Sequence, residues 1–339
     1  MSSETVPFEN WFKRDYAHAT QCFLCGADLT KTKKTDEHII PQWVLHMFNL
    51  WDKKITLLNT VRFAYNRSVI PCCESCNNNH LSKLEKKIKQ GVEGGYAHFK
   101  AQVTNLEIYQ WCQLIFYKLL YKESFFRTIL REPASHNIVT EGNFNAMVLN
   151  HFFLRSIDKQ LNFENFFPGS IFICRVKTSP TQELNFDYID DVPSQCFAIR
   201  LNDIGIVVIL ADSGLQQKAY DHLYQDILSH ELAPIQFRNF FIKCVYIQHL
   251  FSDPFSYIVK EITDDGATIF QAVKADFSGN VYGDWVDENY LQLLASAFNV
   301  QPDDMRISNG NAGSFFYDNN GNWKDRSFED DGFKNSTPT

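Results

Sequence analysis

The sequence predicts an α+β protein in three stretches, and three observations carry that prediction. Two CxxC pairs fall within the first 80 of 339 residues; a helical apolar repeat starts near Thr104; strand-like runs follow Phe166. The expected organisation is a cysteine-clipped unit over 1–100, a mixed helical and antiparallel-sheet domain over 101–310, and a loosely ordered tail over 311–339. The tail expectation rests on its Asn, Gly and Asp content.

With 45% hydrophobic and 15% aromatic residues the chain can bury a substantial core. No run reaches the roughly 20 uncharged apolar residues of a membrane helix, and the opening residues lack the apolar centre of a secretory signal. A cytoplasmic protein is therefore expected. The net charge is -8, which argues against a general nucleic-acid coat, but it is unevenly shared: residues 1–100 carry 14 Lys and Arg against 10 Asp and Glu. Any contact with phosphates belongs to this front part, unless the split is ordinary surface variation.

The helix expected from Thr104 opens on a capping box, Thr104 with Glu107, and Ile108, Trp111, Cys112, Ile115, Phe116, Leu119 and Leu120 mark its core face. More helix is expected to about Phe166. Strands are expected at 171–177, 184–189, 196–201 and 205–212, with a hairpin at Asn202-Asp203. A helix is expected over 216–230, strands near 254–260 and 267–274, and a last helix from Asp287 to Phe298. No internal repeat is present.

Nine cysteines are an odd number for a disulfide framework, so their spacing matters more than their count. Cys112, Cys174, Cys196 and Cys244 stand singly in apolar surroundings and read as core thiols. Cys22-Phe23-Leu24-Cys25, followed by Gly26, and Cys73-Glu74-Ser75-Cys76 each place two thiolates on one side of a tight turn. Together they complete a four-thiolate zinc site, and Cys72, out of the CxxC register, reads as a packed neighbour. Such a closed site braces a fold and has no open position for catalysis.

Chemistry must then come from the polar residues between and after the knuckles: Asp36, Glu37 and His38 on one side, Asn77, Asn78, Asn79 and His80 on the other. The segment Glu37 to Trp43 is expected to be a short strand beginning at the acid-histidine pair. A helix is expected directly after the second knuckle, with asparagines suited to its N-terminus, which also favours phosphate. Taken alone, His38 would more often be a surface histidine, and Lys83, Lys86, Lys87 and Lys89 a solvated helix face. His18, His46 and His98 have no partner in the pattern and read as structural.

The order CxxC, Glu-His-Ile-Ile-Pro, CxxC-Asn and then His resembles the HNH (His-Me finger) endonucleases over about residues 20–90. That resemblance implies a zinc-braced ββα-metal fold and hydrolysis of DNA phosphodiester bonds with one Mg²⁺ or Mn²⁺. It implies His38 as general base, Glu37 as acidic metal ligand, Asn77 as a ligand from the helix, and His80 as ligand or phosphate contact. Lys83, Lys86 and Lys87 would then meet nucleic acid. The residue that orients the base lacks an obvious equivalent; Asn59 and Asn66 are candidates, with Ser68 at the usual offset.

A neutral imidazole takes a proton near pH 7, and a hard cation on a carboxylate and an amide leaves positions for water and phosphate. His80 as a ligand would favour Mn²⁺ or another borderline metal. The back half is expected to target, dimerise or receive a protein partner, and prokaryotic anti-phage defence is an expectation by analogy with nucleases that carry appended domains. The competing expectation is a zinc-stabilised nucleic-acid-binding or assembly module with no catalysis.

Overall fold

The computed structural model describes residues 20–56, 62–124, 126, 141–264, 266–274, 280–306, 315–318 and 320–329. Their contacts separate two compact units, one drawn from Met1–Gln90, Val103–Phe163 and Lys260–Ile269, the other from Gly91–Gln102, Glu164–Val259 and Phe270–Thr339. The division differs from a boundary at residue 100, because the long helix after Thr104 belongs with the cysteine-bearing unit.

In the first unit, β1 (Lys34–His38) pairs antiparallel with β4 (Val69–Cys73), placing Lys34 opposite Cys73 and His38 opposite Val69. Between them lie α1 (Gln42–Met47) and the short hairpin of β2 (Lys54–Thr56) with β3 (Arg62–Ala64). After β4 the chain makes a π-helical turn over Cys76–Leu81 and continues as α2 (Ser82–Glu93).

The acid-histidine pair ends a strand; it does not begin one. Ile39 and Ile40 are consecutive and both buried, which breaks the alternation a strand requires. Pro41 then precedes the first turn of α1, where its missing N–H costs nothing, and α1 buries Val44 and Leu45.

The next described elements are α3 (Gly95–Gln102), α4 (Asn105–Glu123), α5 (Glu141–Leu154) and β5 (Leu161–Glu164). Helix thus gives way to strand before Phe166. The capping box of α4 is formed: Thr104 Oγ1 accepts from the Glu107 amide at 3.3 Å while Glu107 Oε2 accepts from the Thr104 amide at 2.8 Å. Its charged side is buried too, with Lys118, Lys122 and Glu123 at 0%, 4% and 5% exposure.

The second unit holds a five-stranded sheet of β6 (Ser170–Val176), β7 (Phe186–Asp191), β8 (Cys196–Leu201), β9 (Ile204–Ile209) and β10 (Glu231–Leu232), in the order β10-β6-β9-β8-β7. All pairings are antiparallel except that of β10 with β6. Asn202, with φ 55°, turns the β8–β9 hairpin where Asn-Asp was expected to. Strands β8 and β9 are buried along their full length, so their runs are continuously apolar.

Helices α6 (Leu215–Ser229), α7 (Pro234–His249) and α8 (Asp287–Phe298) supply the rest of the core; strands β11 (Phe255–Ile262) and β12 (Thr268–Lys274) come between α7 and α8 in sequence, and their residues are divided between the two units. Phe172, Tyr224 and Phe240 form edge-to-face rings at the centre of that core. Glycine is required at 205: a Cβ there would stand 2.7 Å from both Cys174 Sγ and the Phe237 ring. The four single cysteines are fully buried.

Within the expected loose tail, aromatic residues are packed while Asn320, Gly321, Asn322, Asp325, Ser327 and Glu329 are exposed. Phe315 and Phe316 are 7% and 2% exposed, Gln236 Nε2 donates to the Phe315 and Lys324 carbonyls at 3.0 and 2.8 Å, and Trp323 stacks on His230 at 3.9 Å. Polar composition concealed an aromatic anchor. Among the described residues no helix is long and apolar enough to cross a membrane.

Candidate metal centre and acid-histidine site

The first knuckle turns at Gly26, φ 73°, whose amide donates to the Cys22 carbonyl at 3.0 Å, and Cys22 N donates to Ala27 O at 2.9 Å. The second lies where β4 runs into the π-helical turn, with the Cys76 amide 3.4 Å from Cys73 Sγ. Pairing of β1 with β4 and the hydrogen bond from Phe23 N to Pro71 O, 3.2 Å, bring the knuckles together across 47 residues of sequence.

Sγ atoms of Cys22, Cys25, Cys73 and Cys76 all lie within 4.8 Å of one another, and Cys25 to Cys73 measures 3.7 Å. Zn–S bonds of about 2.3 Å in a tetrahedron require sulfur separations of about 3.8 Å, so the four residues fit a zinc ion. The four thiols share their protons unevenly. Neighbouring thiols, Cys25 foremost, donate to Cys22 and hold it toward the thiolate, while the same sharing pushes Cys25 up to about 12. A bound ion would release the remaining protons. Cys72, buried and 3.8 Å from Cys22 Sγ, lies beside the cluster without being one of the four.

One supporting residue carried no sequence signal. His151 of α5 places Nε2 3.1 and 3.0 Å from the carbonyls of Phe23 and Leu24, bracing the first knuckle from a segment 126 residues beyond Cys25.

Glu37 and His38 sit on opposite faces of β1 at its end. His38 Nδ1 is 3.0 Å from Gln42 Nε2, and its ring lies 5.9 Å from Trp51, which in turn stacks on His46 at 4.7 Å. The imidazole also hydrogen-bonds the main chain of Asn66. Asn66 therefore reaches the histidine by its backbone, while its side chain donates to Asp52 at 3.3 Å. Ser68 holds the strand end instead, its carbonyl accepting from Ile39 N at 2.8 Å and its hydroxyl donating to Ala64 O. Asn59 lies outside the described residues.

Burial above all, with a smaller push from Lys118, lowers the His38 pKa; Glu37, the Asn66 main chain and Asp36 oppose that shift. The net effect favours the neutral imidazole.

Glu37 is 7% exposed and faces a lysine. Lys118 of α4 donates to Glu37 Oε1 at 2.8 Å and to the His38 carbonyl at 2.6 Å. One turn further, Lys122 donates to Val69 O at 3.0 Å, so α4 holds the ends of both strands. Its ammonium is pushed down to about 8 by burial. Glu85 of α2 completes the group: its Oε1 is 4.0 Å from Lys118 Nζ, and burial, with Glu37 nearby, pushes its carboxyl up to about 8.

The other expected residues lie elsewhere around the hairpin. Asn77 Nδ2 donates to Thr35 Oγ1 at 3.1 Å, and His80 lines a cavity of about 620 Å³ with Cys25, Lys33, Glu74, Arg155 and Asp158. Among the described residues, the four cysteines are the only group of three or more His, Cys, Asp or Glu placed to share an ion, so Glu37 and His80 enter no such group. Lys83 and Lys86 are exposed and Lys87 half-buried on α2, away from its buried Leu84 and Ile88.

No family model, curated protein or solved structure matches this chain.

Proposed function

We propose that the unit around the four cysteines is a zinc-braced HNH-type endonuclease core that hydrolyses DNA phosphodiester bonds. The observation that carries this reading is His38: it ends a strand paired to the second knuckle's strand, hydrogen-bonds a main-chain group, and favours its neutral form. A neutral imidazole in that setting accepts a proton from water as it attacks phosphorus. Glu37 is the proposed carboxylate ligand of one Mg²⁺ or Mn²⁺, which would stabilise charge on the phosphate and the leaving oxygen. Asn77 hydrogen-bonds Thr35, and His80 lines a cavity whose lining does not include Glu37, so Glu37 is the ligand on which the proposal rests. The Lys83, Lys86 and Lys87 side of α2 is the proposed face for the phosphate backbone. A role in anti-phage defence, and partner binding by the second unit, are carried only by analogy.

A second reading is favoured by one contact: the ion pair of Glu37 with Lys118 occupies the carboxylate a metal would need. In that reading the unit is a nucleic-acid-binding or assembly module without catalysis. Plasmid, single-stranded DNA and RNA incubated with Mg²⁺, Mn²⁺ or EDTA, beside His38→Ala, separate the two. Metal-dependent cutting lost in His38→Ala supports the nuclease; binding without cutting in both proteins supports the module.

A further inference from the structure

The charged groups behind the acid-histidine pair converge on one point. Lys118, whose side chain is 0% exposed, directs Nζ at three oxygens: Glu37 Oε1 at 2.8 Å, the His38 carbonyl at 2.6 Å and Glu85 Oε1 at 4.0 Å. Glu85 Oε1 is buried and accepts no hydrogen bond. Burying an ammonium is unfavourable unless opposing charge and hydrogen bonds compensate it, which Glu37 supplies, while burial and the nearby Glu37 keep the Glu85 carboxyl protonated near neutral pH until a stronger cation draws its proton off. Carboxylate and carbonyl oxygens around one positive centre are also the donor set of a hard divalent ion.

We propose that the Glu37 and Glu85 carboxyl groups form a cation seat whose resident occupant is Lys118, so that a divalent ion enters only by displacing the lysine ammonium. The identification of that ion as a catalytic one rests on the nuclease reading; the competition between ammonium and ion does not. An ammonium and a divalent ion about 4 Å apart repel strongly in a partly buried setting. The lysine therefore lowers the affinity of the seat for any divalent ion, and its removal raises that affinity by a factor of ten or more.

The test uses the zinc-loaded full chain titrated with Mn²⁺, with free ion read by electron paramagnetic resonance. Lys118→Met is expected to bind one additional Mn²⁺ about ten-fold or more tightly than the unchanged protein. Lys118→Arg, which keeps the charge, is expected to show no gain, and Glu85→Gln added to Lys118→Met removes it. An affinity in Lys118→Met equal to or below that of the unchanged protein overturns the proposal. Should Lys118→Met lose its fold, Mn²⁺ restoring its melting transition supports the seat and failure to restore it overturns the seat. Plasmid cleavage run in parallel keeps the two readings apart. Tight Mn²⁺ binding with no cutting by any variant upholds the seat and removes the nuclease; cutting by the unchanged protein with no gain in Lys118→Met does the reverse.

Discussion

At the scale of single residues, the first unit places its charges with little tolerance. His38 is held by Trp51, Gln42 and the Asn66 main chain, and its pKa is lowered. A base must be neutral to act, so the lowered value extends activity toward acid. Cleavage rate plotted against pH is expected to keep its plateau below the ordinary histidine pKa of about 6.5 before falling, and His38→Ala is expected to lose about 10²–10⁴-fold in rate without loss of fold. Glu37 depends on Lys118 as Lys118 depends on it. Glu37→Gln leaves a buried ammonium with only the Glu85 carboxyl group 4.0 Å away, and is expected to cost about 3–5 kcal/mol in a urea unfolding measurement.

At the scale of elements, periodicity and capping predicted more than they located. The box at Thr104 starts α4 where expected, and Asp287–Phe298 matches residue for residue, because caps and apolar spacing are local. Lys118 and Lys122 lay on the supposedly polar side of α4, and only the hairpin packed against that side explains their burial. A comparable buried charge sits at the start of α6: Asp212, 0% exposed, accepts from Ser170 Oγ at 2.6 Å, Gly214 N at 3.0 Å and Gln216 N at 2.8 Å. Burial nevertheless pushes its carboxyl up to about 6. The folded state then binds the proton more tightly than the unfolded chain, so this contribution to stability is full below about pH 4 and is lost as pH rises through about 6. Denaturation midpoints between pH 4 and 7 are expected to change less in Asp212→Asn than in the unchanged protein.

For the whole molecule, two dependencies follow. A zinc ion on the four cysteines would close a cluster that joins segments far apart in sequence, so a chelator is expected to abolish the cooperative melting of the first unit, and metal analysis to return one zinc per chain. The first unit also needs residues well beyond the second knuckle. A fragment of residues 1–100 lacks Lys118 and His151, which hold Glu37 and the first knuckle, and is expected to show no cooperative transition by circular dichroism even with zinc added.

The sequence by itself determined the four-cysteine cluster, the strand-rich second part and the positions of most helices. CxxC spacing, caps and apolar periods act over a few residues, so they are legible without a fold. It also brought Glu37 and His38 forward, because the acid-histidine pair is contiguous. Tertiary structure alone decided what faces them. Lys118 and Glu85 are ordinary helix residues until α4 and α2 pack against the hairpin, and Asn66 acts through a backbone group that no side-chain pattern can mark. Burial made the difference: a charge removed from water is defined by the few groups around it, and those come from chain segments that only folding brings together.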